Sequence, residues 1–228
     1  AGGSVTYRDS DSVTVGTVGS QAVSNAAFAN TVGITSAGAV TLTSVGLGLN
    51  DNITAASHIT QSGGGTVAVG GTAGTRTITA TNGDVSFANP ISSSQPFTID
   101  AGAGGGNGLI TIADGINSNS NPIVLNGTDW NFTVSAPGSI NANTSSVTVT
   151  HSTNGTINLV SSGSGLGSDD LARITTAATG TLYVGDPAKA DTVNVGGNVD
   201  FAVSTPNVEI RAASLTNSAG RIGTQNTA

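Results

Sequence analysis

Three pairs of carboxylates have a spacing that could bring two acids together: Asp9 with Asp11, Asp169 with Asp170, and Asp186 with Asp191. Glycoside hydrolysis requires two positioned carboxylates, so each pair is a candidate for that chemistry. Two residues apart on a strand, Asp9 and Asp11 would face one side and could serve as a calcium or catalytic pair. Little basic character stands near them to complete a lyase site: the chain has one lysine, Lys189, and few arginines. Aspartate is also common at turns, and that reading is adopted for all three pairs. The two histidines, His58 and His151, are 93 residues apart. Separated by three to four strand spacings, they would lie roughly 14 to 19 Å apart, too far to share a metal ion. "GAGGGNG" (102–108) resembles a glycine-rich calcium repeat, but it lacks the aspartate and does not recur. No lysine follows the glycines, as a phosphate-cradling loop would need. No catalytic, cofactor-binding or metal-ligating residue is therefore assigned, no cofactor is expected, and the chain is read as a non-enzyme.

Composition defines the elements that would carry these residues. The 228 residues include 33 Gly, only 8% charged residues, one Glu (Glu209) and no Cys. Strong helix formers other than Ala and Leu are nearly absent. Val, Ile and Thr, punctuated by Gly, Asn, Asp and Ser, are the vocabulary of strands and turns, so the chain is all-β. Regular aliphatic recurrence and low charge argue against disorder. The net charge of −7 and the absence of a basic patch argue against nucleic acid. No apolar run is long enough for a transmembrane helix. The first residues do not form a signal peptide. The chain begins and ends within its pattern, as a mature product or fragment would. Without cysteine there is neither a disulfide nor thiol chemistry.

Alternating apolar residues mark short strands along the whole length. They fall at 39–43, 66–69, 77–81, 84–88, 96–100, 109–113, 122–125, 131–134, 146–150, 155–160, 180–184, 192–195, 198–203 and 207–210. "GDVSFANPI", "GLITIADGI" and "NFTVSAPGSI" each run strand, short turn, then one aliphatic: Ile91, Ile116 or Ile140. Such a unit cannot close a core alone, but stacked copies can. Asn82-Gly83, Asn126-Gly127 and Asn154-Gly155 leave hairpins open. Yet the strands stay very short, and a β-solenoid of roughly 20 to 30 residues per coil accounts for that better than a sandwich or barrel. Eight to eleven coils would give a rod roughly 40 to 50 Å long. Phe87, Phe97, Phe132 and Phe201 are expected in its core, with Trp130 and Tyr183 capping or decorating a groove. Thr, Ser and Asn would stack in ladders outside. Sequons at Asn52, Asn126, Asn131, Asn143 and Asn154 could accept glycans, although chance explains them in so Asn- and Thr-rich a chain.

"SDDLARITTAATGTLYVGD" (168–186) resembles a segment of very large bacterial exoproteins of the filamentous-haemagglutinin type. The matching residues are Leu166, Asp170, Leu171, Arg173, Ile174, Thr175, Leu182, Val184 and Gly185. "SVTYRDSDSVTVGTVG" (4–19) and "AASLTNSAGRIGT" (212–224) are similar to other coils of that group. The resemblance implies a right-handed parallel β-helix in a secreted or surface-anchored adhesin, of a kind commonly exported by two-partner secretion. The secretion motifs of such proteins are not seen. Residues 1–228 are then one solenoid segment, a fragment of a longer rod. Residues 169–176 would make a corner excursion of about one helical turn before the coil resumes at Thr181. Leu171 and Ile174 would pack on the core, while Arg173 faces solvent or pairs with Asp169 or Asp170.

The leading expectation is an extracellular adhesin rod whose surface meets a host cell, a neighbouring cell or a glycan. A filament or sheath subunit associating end to end is the alternative. A polysaccharide-active β-helix or an ice-binding solenoid stands further back, because Thr-x-Thr is sporadic.

Overall fold

The computed structural model describes residues 3–18, 21–23, 26–28, 31–133, 139–201, 205 and 207–224. It is all-β, with parallel sheets that the chain visits in turn. The first sheet holds Val5–Arg8, Val40–Ser44, Ile59–Gly63, Val85–Phe87, Leu109–Ile112 and Asp129–Phe132. The second holds Ser12–Val15, Gly46–Leu49, Val67–Val69, Ile91–Ser93, Ile116–Asn117, Ile140–Asn141 and Ile174–Thr175. The third runs from Ile34–Ser36 through Ile53–Ala55, Arg76–Ala80, Phe97–Ala101, Ile123–Gly127, Ser146–His151 and Thr181–Val184 to Val208–Ile210. A circuit takes one strand from each sheet, and the next circuit adds a parallel neighbour to all three.

Register partners are commonly 19 to 26 residues apart, as Val40 is from Ile59 and Ile59 from Val85. Three inserts stretch this. Residues 17–32 contain two antiparallel strand pairs, which account for the 35-residue step from Val5 to Val40. Residues 161–173 and 185–191 lengthen the steps from Ile140 to Ile174 and from Ile157 to Val193. After residue 155, Thr156–Val160, Leu166–Gly167, Thr192–Val195 and Ser214–Asn217 form a separate parallel sheet. Val199–Phe201 pairs in parallel with Ile222–Thr224.

Alternation sorts each strand into inward and outward residues. Because the pairing is parallel and in register, like sits beside like. Ile78, Ile99, Leu125, Val149 and Val184 form one buried column. Ile91, Ile116, Ile140 and Ile174 form another, so the single aliphatic after each turn does point inward. All four expected core phenylalanines are buried. Trp130 joins them in the core at 3% exposure, stacked beside Ile110; its indole N–H donates to the Leu125 carbonyl. Tyr183 does lie outside, under the Arg211 guanidinium, 3.5 Å from its ring centre.

The strands expected from the sequence are present within one or two residues. The expected residues Val134, Ala202 and Val203 lie outside the described set. None of the Asn-Gly pairs makes a hairpin, and Asn126-Gly127 lies inside a parallel strand. Gly46–Leu49, which alternates glycine with the buried Leu47 and Leu49, is a further strand beyond those expected from the sequence.

Outward columns are mostly polar, with exceptions such as Ala68 and Val124. Thr6, Thr41, Thr60, Ser86 and Thr111 follow one another on the first sheet. Asn194 donates to the Asn158 side chain at 3.0 Å and accepts from Thr216 at 3.0 Å, a continuous ladder. Several inward positions break the rule: Arg76 beside Phe97, Ser36 beside Ala55 and Ser93 beside Val69 are buried and donate to main-chain carbonyls, whereas Gln61 is left with an unpaired oxygen. Gln61 occupies the column between Leu42 and Phe87 at 1% exposure, and its Oε1 has no hydrogen-bond partner.

Two predictions test the register. Val149→Asp places an uncompensated carboxylate in the core and should cost more than about 3 kcal/mol in chemical denaturation, while Thr148→Asp, on the outer side, should cost under about 1 kcal/mol. Equal effects would mean the assigned faces are wrong. Gln61→Leu removes an unsatisfied buried oxygen at similar volume and should raise stability by about 1 kcal/mol; a loss of stability would show that the amide has a partner.

Candidate functional site

A groove lies where the first sheet stops. Asp129–Phe132 is its last strand, and the next circuit does not lay a full strand on it. Instead Thr156–Val160 runs past and residues 161–165 turn back. Leu166–Gly167 then lies beside Leu159 and Val160, and the helical turn Ser168–Leu171 closes the corner. Gly165 permits this reversal: its φ is +116°, and a Cβ there would sit 2.5 Å from the Asn158 carbonyl oxygen. The resulting groove, about 560 Å³, is lined by Asp129, Trp130, Asn131, Asp169, Asp170 and Arg173, among others.

Strand amides left without a neighbouring strand need acceptors. Two carboxylates supply them. Asp170 accepts from the Phe132 amide at 2.9 Å and from the Gly167 amide at 3.1 Å. Asp129 accepts from the Gly165 amide at 2.8 Å and from its own neighbour Trp130 at 3.0 Å. The two aspartates thus bridge the break in the stack. Burial holds the Asp170 carboxyl above the usual carboxylate range; the two amides pull it down less, and Asp129 and Asp169 add to the rise. A raised carboxyl in a groove is a property of general acids. Here, however, both of its oxygens are engaged by the main chain.

The excursion follows the sequence reading closely. A helical turn forms at 168–171, Leu171 and Ile174 are fully buried, and the strand resumes at Thr181. Arg173 departs from it. It is half-buried, its Nε has no partner, and it makes no ion pair with Asp169 or Asp170; the ion pairs among the described residues are His58–Asp84 and Arg211–Glu209. Its main chain is fixed at the corner, where the Ile140 amide donates to its carbonyl, and its side chain lines the groove.

Asp9 and Asp11 are not on a strand. They occupy the turn between Val5–Arg8 and Ser12–Val15, where Asp9 accepts from the Asp11 amide at 3.1 Å and from the Tyr7 hydroxyl at 2.7 Å. The tyrosine hydroxyl lowers the Asp9 pKa. Asp186 and Asp191 do meet, around the 3₁₀ turn Pro187–Lys189, where the Asp186 amide donates to Asp191 at 2.9 Å. His58 contacts Asp84 at an exposed corner, and His151 folds back on Thr153. Among the described residues no group of three or more His, Cys, Asp or Glu could hold a metal ion. The Asn126 sequon lies on a side chain only 8% exposed, out of a transferase's reach in the folded chain. Asp129 had not been singled out, because its main partner Gly165 is 36 residues away and no local spacing announces the contact.

Comparison with known protein families, with curated proteins and with solved structures finds no match to this chain.

If the two carboxylates bridge the break, Asp129→Asn and Asp170→Asn should each cost about 1 to 3 kcal/mol, while the exposed Asp169→Asn should be nearly neutral. The Asp170 pKa is raised, so the folded state holds its proton to higher pH than the unfolded chain. Its ionisation therefore costs stability, which should fall as pH rises from 3.8 through the raised value. Denaturation melts across that window should show this component in the parent and its loss in Asp170→Asn.

Proposed function

We propose that the chain is a right-handed parallel β-helix forming part of an extracellular adhesin rod, which attaches to a cell surface or glycan through its repetitive faces rather than through a catalytic pocket. The observation that carries this reading is the regularity of the outward columns. Circuit after circuit of the first sheet presents Thr or Ser at the same position, on a scaffold whose inward columns are mainly apolar. Right-handedness is the sense that nearly all parallel crossovers adopt. The resemblance of 168–186 to haemagglutinin-type exoproteins and the acidic, cysteine-free composition support the same assignment. No helix among the described residues is long and apolar enough to cross a membrane.

The absence of catalysis is part of the proposal. In the groove, Asp170 accepts main-chain amides on both oxygens and Asp129 accepts two on Oδ1, which gives both carboxylates a structural task.

A filament subunit is the second reading. It rests on the parallel stacking itself, since an open edge of such a stack pairs readily with a strand of another copy.

Electron microscopy of the purified chain, combined with glycan-array and cell-binding assays, separates these readings. Single short rods that bind cells or glycans are expected, with binding kept in the double variant Asp9→Asn, Asp11→Asn. Long uniform fibres would establish the filament, and turnover of a polysaccharide would overturn both.

A further inference from the structure

One polar column on the outer side of the third sheet is unlike the others. Asp100, Asn126 and Thr150 are register partners on successive strands, all facing outward. They are not left to solvent. After Thr181–Val184, residues 185–191 fold over the column and return Asp191 onto Thr150. The Thr150 hydroxyl donates to Asp191 Oδ2 at 2.7 Å, and the amides of Asp186 and His151 donate to the same oxygen at 2.9 and 3.3 Å. Asp191 is fully buried and Asn126 is 8% exposed.

Three oxygens under this cover have no hydrogen-bond partner: Oδ1 of Asp100, of Asn126 and of Asp191. Leaving a buried acceptor unsatisfied costs about 1 to 3 kcal/mol, and more for a charged group. Asn126 stands at the centre. Asp100 is one strand spacing of about 4.8 Å to one side, and Thr150 with its Asp191 is the same distance to the other. A single water carries two protons and could satisfy only two of the three. Lys189 does not fill the role. Its ammonium donates to the His151 carbonyl at 3.0 Å and makes no ion pair with Asp100 or Asp191. Counted together, Asp100, Asp186, Asp191 and Lys189 leave two net negative charges.

We propose that Asp100, Asn126 and Asp191, with the Thr150 hydroxyl at hand, form a calcium site that fastens the 186–191 turn to the third sheet. Carboxylate, amide and hydroxyl oxygens are the ligands a hard cation takes, and calcium tolerates their irregular arrangement with waters completing the shell. Magnesium demands near-ideal octahedral geometry and gives up its waters reluctantly, so it binds more weakly here. The site stands whether or not the rod is an adhesin, since it rests on the column and the turn alone.

Calcium titration of the metal-stripped full chain by isothermal calorimetry, with thermal melts in chelator and in excess calcium, tests the proposal. One calcium per chain and a melting temperature several degrees higher are expected. Asp100→Asn removes a charge from a side chain that holds no main-chain amide, so it should fold, checked by circular dichroism, and bind calcium about tenfold more weakly or worse. Asn126→Ala should weaken binding too. Asp9→Asn with Asp11→Asn should leave it unchanged. No heat and no melting shift in the parent chain would overturn the site. So would parent-like calcium binding in both Asp100→Asn and Asn126→Ala, or loss of binding in the Asp9, Asp11 double variant.

Discussion

Parallel pairing in register is the constraint on which everything else in this chain depends. Strands about 4.8 Å apart place each side chain directly beside its counterpart in the next circuit. A single choice of residue is therefore tested repeatedly. An aliphatic side chain facing inward meets another aliphatic, as Ile99 meets Ile78 and Leu125, and the interior stays dry. A polar side chain facing outward meets another polar one, as Asn158 meets Asn194. The small side chains follow from the same geometry, because short strands and close corners leave little room. Ala55, Ala80 and Ala101 form a fully buried column of their own.

Exceptions to the repeat are where the chain becomes individual. At the end of the first sheet the pairing is interrupted, and carboxylates from Asp129 and Asp170 stand in for the missing strand carbonyls. The substitution leaves a groove and forces one aspartate into surroundings that disfavour its charge. Over the third sheet the insert 185–191 covers a polar column instead, enclosing oxygens that an open face would have left to water. Both features have one origin: residues added to a circuit must leave the stack, and whatever main-chain or side-chain groups they uncover or cover must find new partners.

Opposite inserts thus have opposite electrostatic results. In the groove the carboxylates gain main-chain donors. Under the 185–191 turn, Asp191 gains donors on one oxygen only, and Asp100 and Asn126 each keep an Oδ1 without a partner, although the Asn126 amide helps hold the Asp100 charge. Lys189, the single lysine, lies close enough to lower the Asp100 pKa somewhat, but burial outweighs it and the net shift is upward.

By itself the sequence determined the all-β class, the positions of most strands, and the inward direction of Val147, Val149, the phenylalanines and the aliphatics that follow each turn. Those properties depend on alternation over a few residues, which local spacing records. It also pointed to about one helical turn within 169–176, from Leu171 and Ile174 three apart beside two acids, and the turn forms at Ser168–Leu171. Only the tertiary structure decided that Trp130 is core, that Arg173 pairs with neither neighbouring acid, that Asp9 and Asp11 share a turn, and that Gln61 stands in an aliphatic column. It alone joined Asp129 to Gly165 and Asp191 to Thr150. Those contacts span 36 and 41 residues, and their partners are fixed by how many residues each circuit contains. That number varies through inserts whose length no local pattern announces, so the residues brought side by side emerge only when the circuits are stacked.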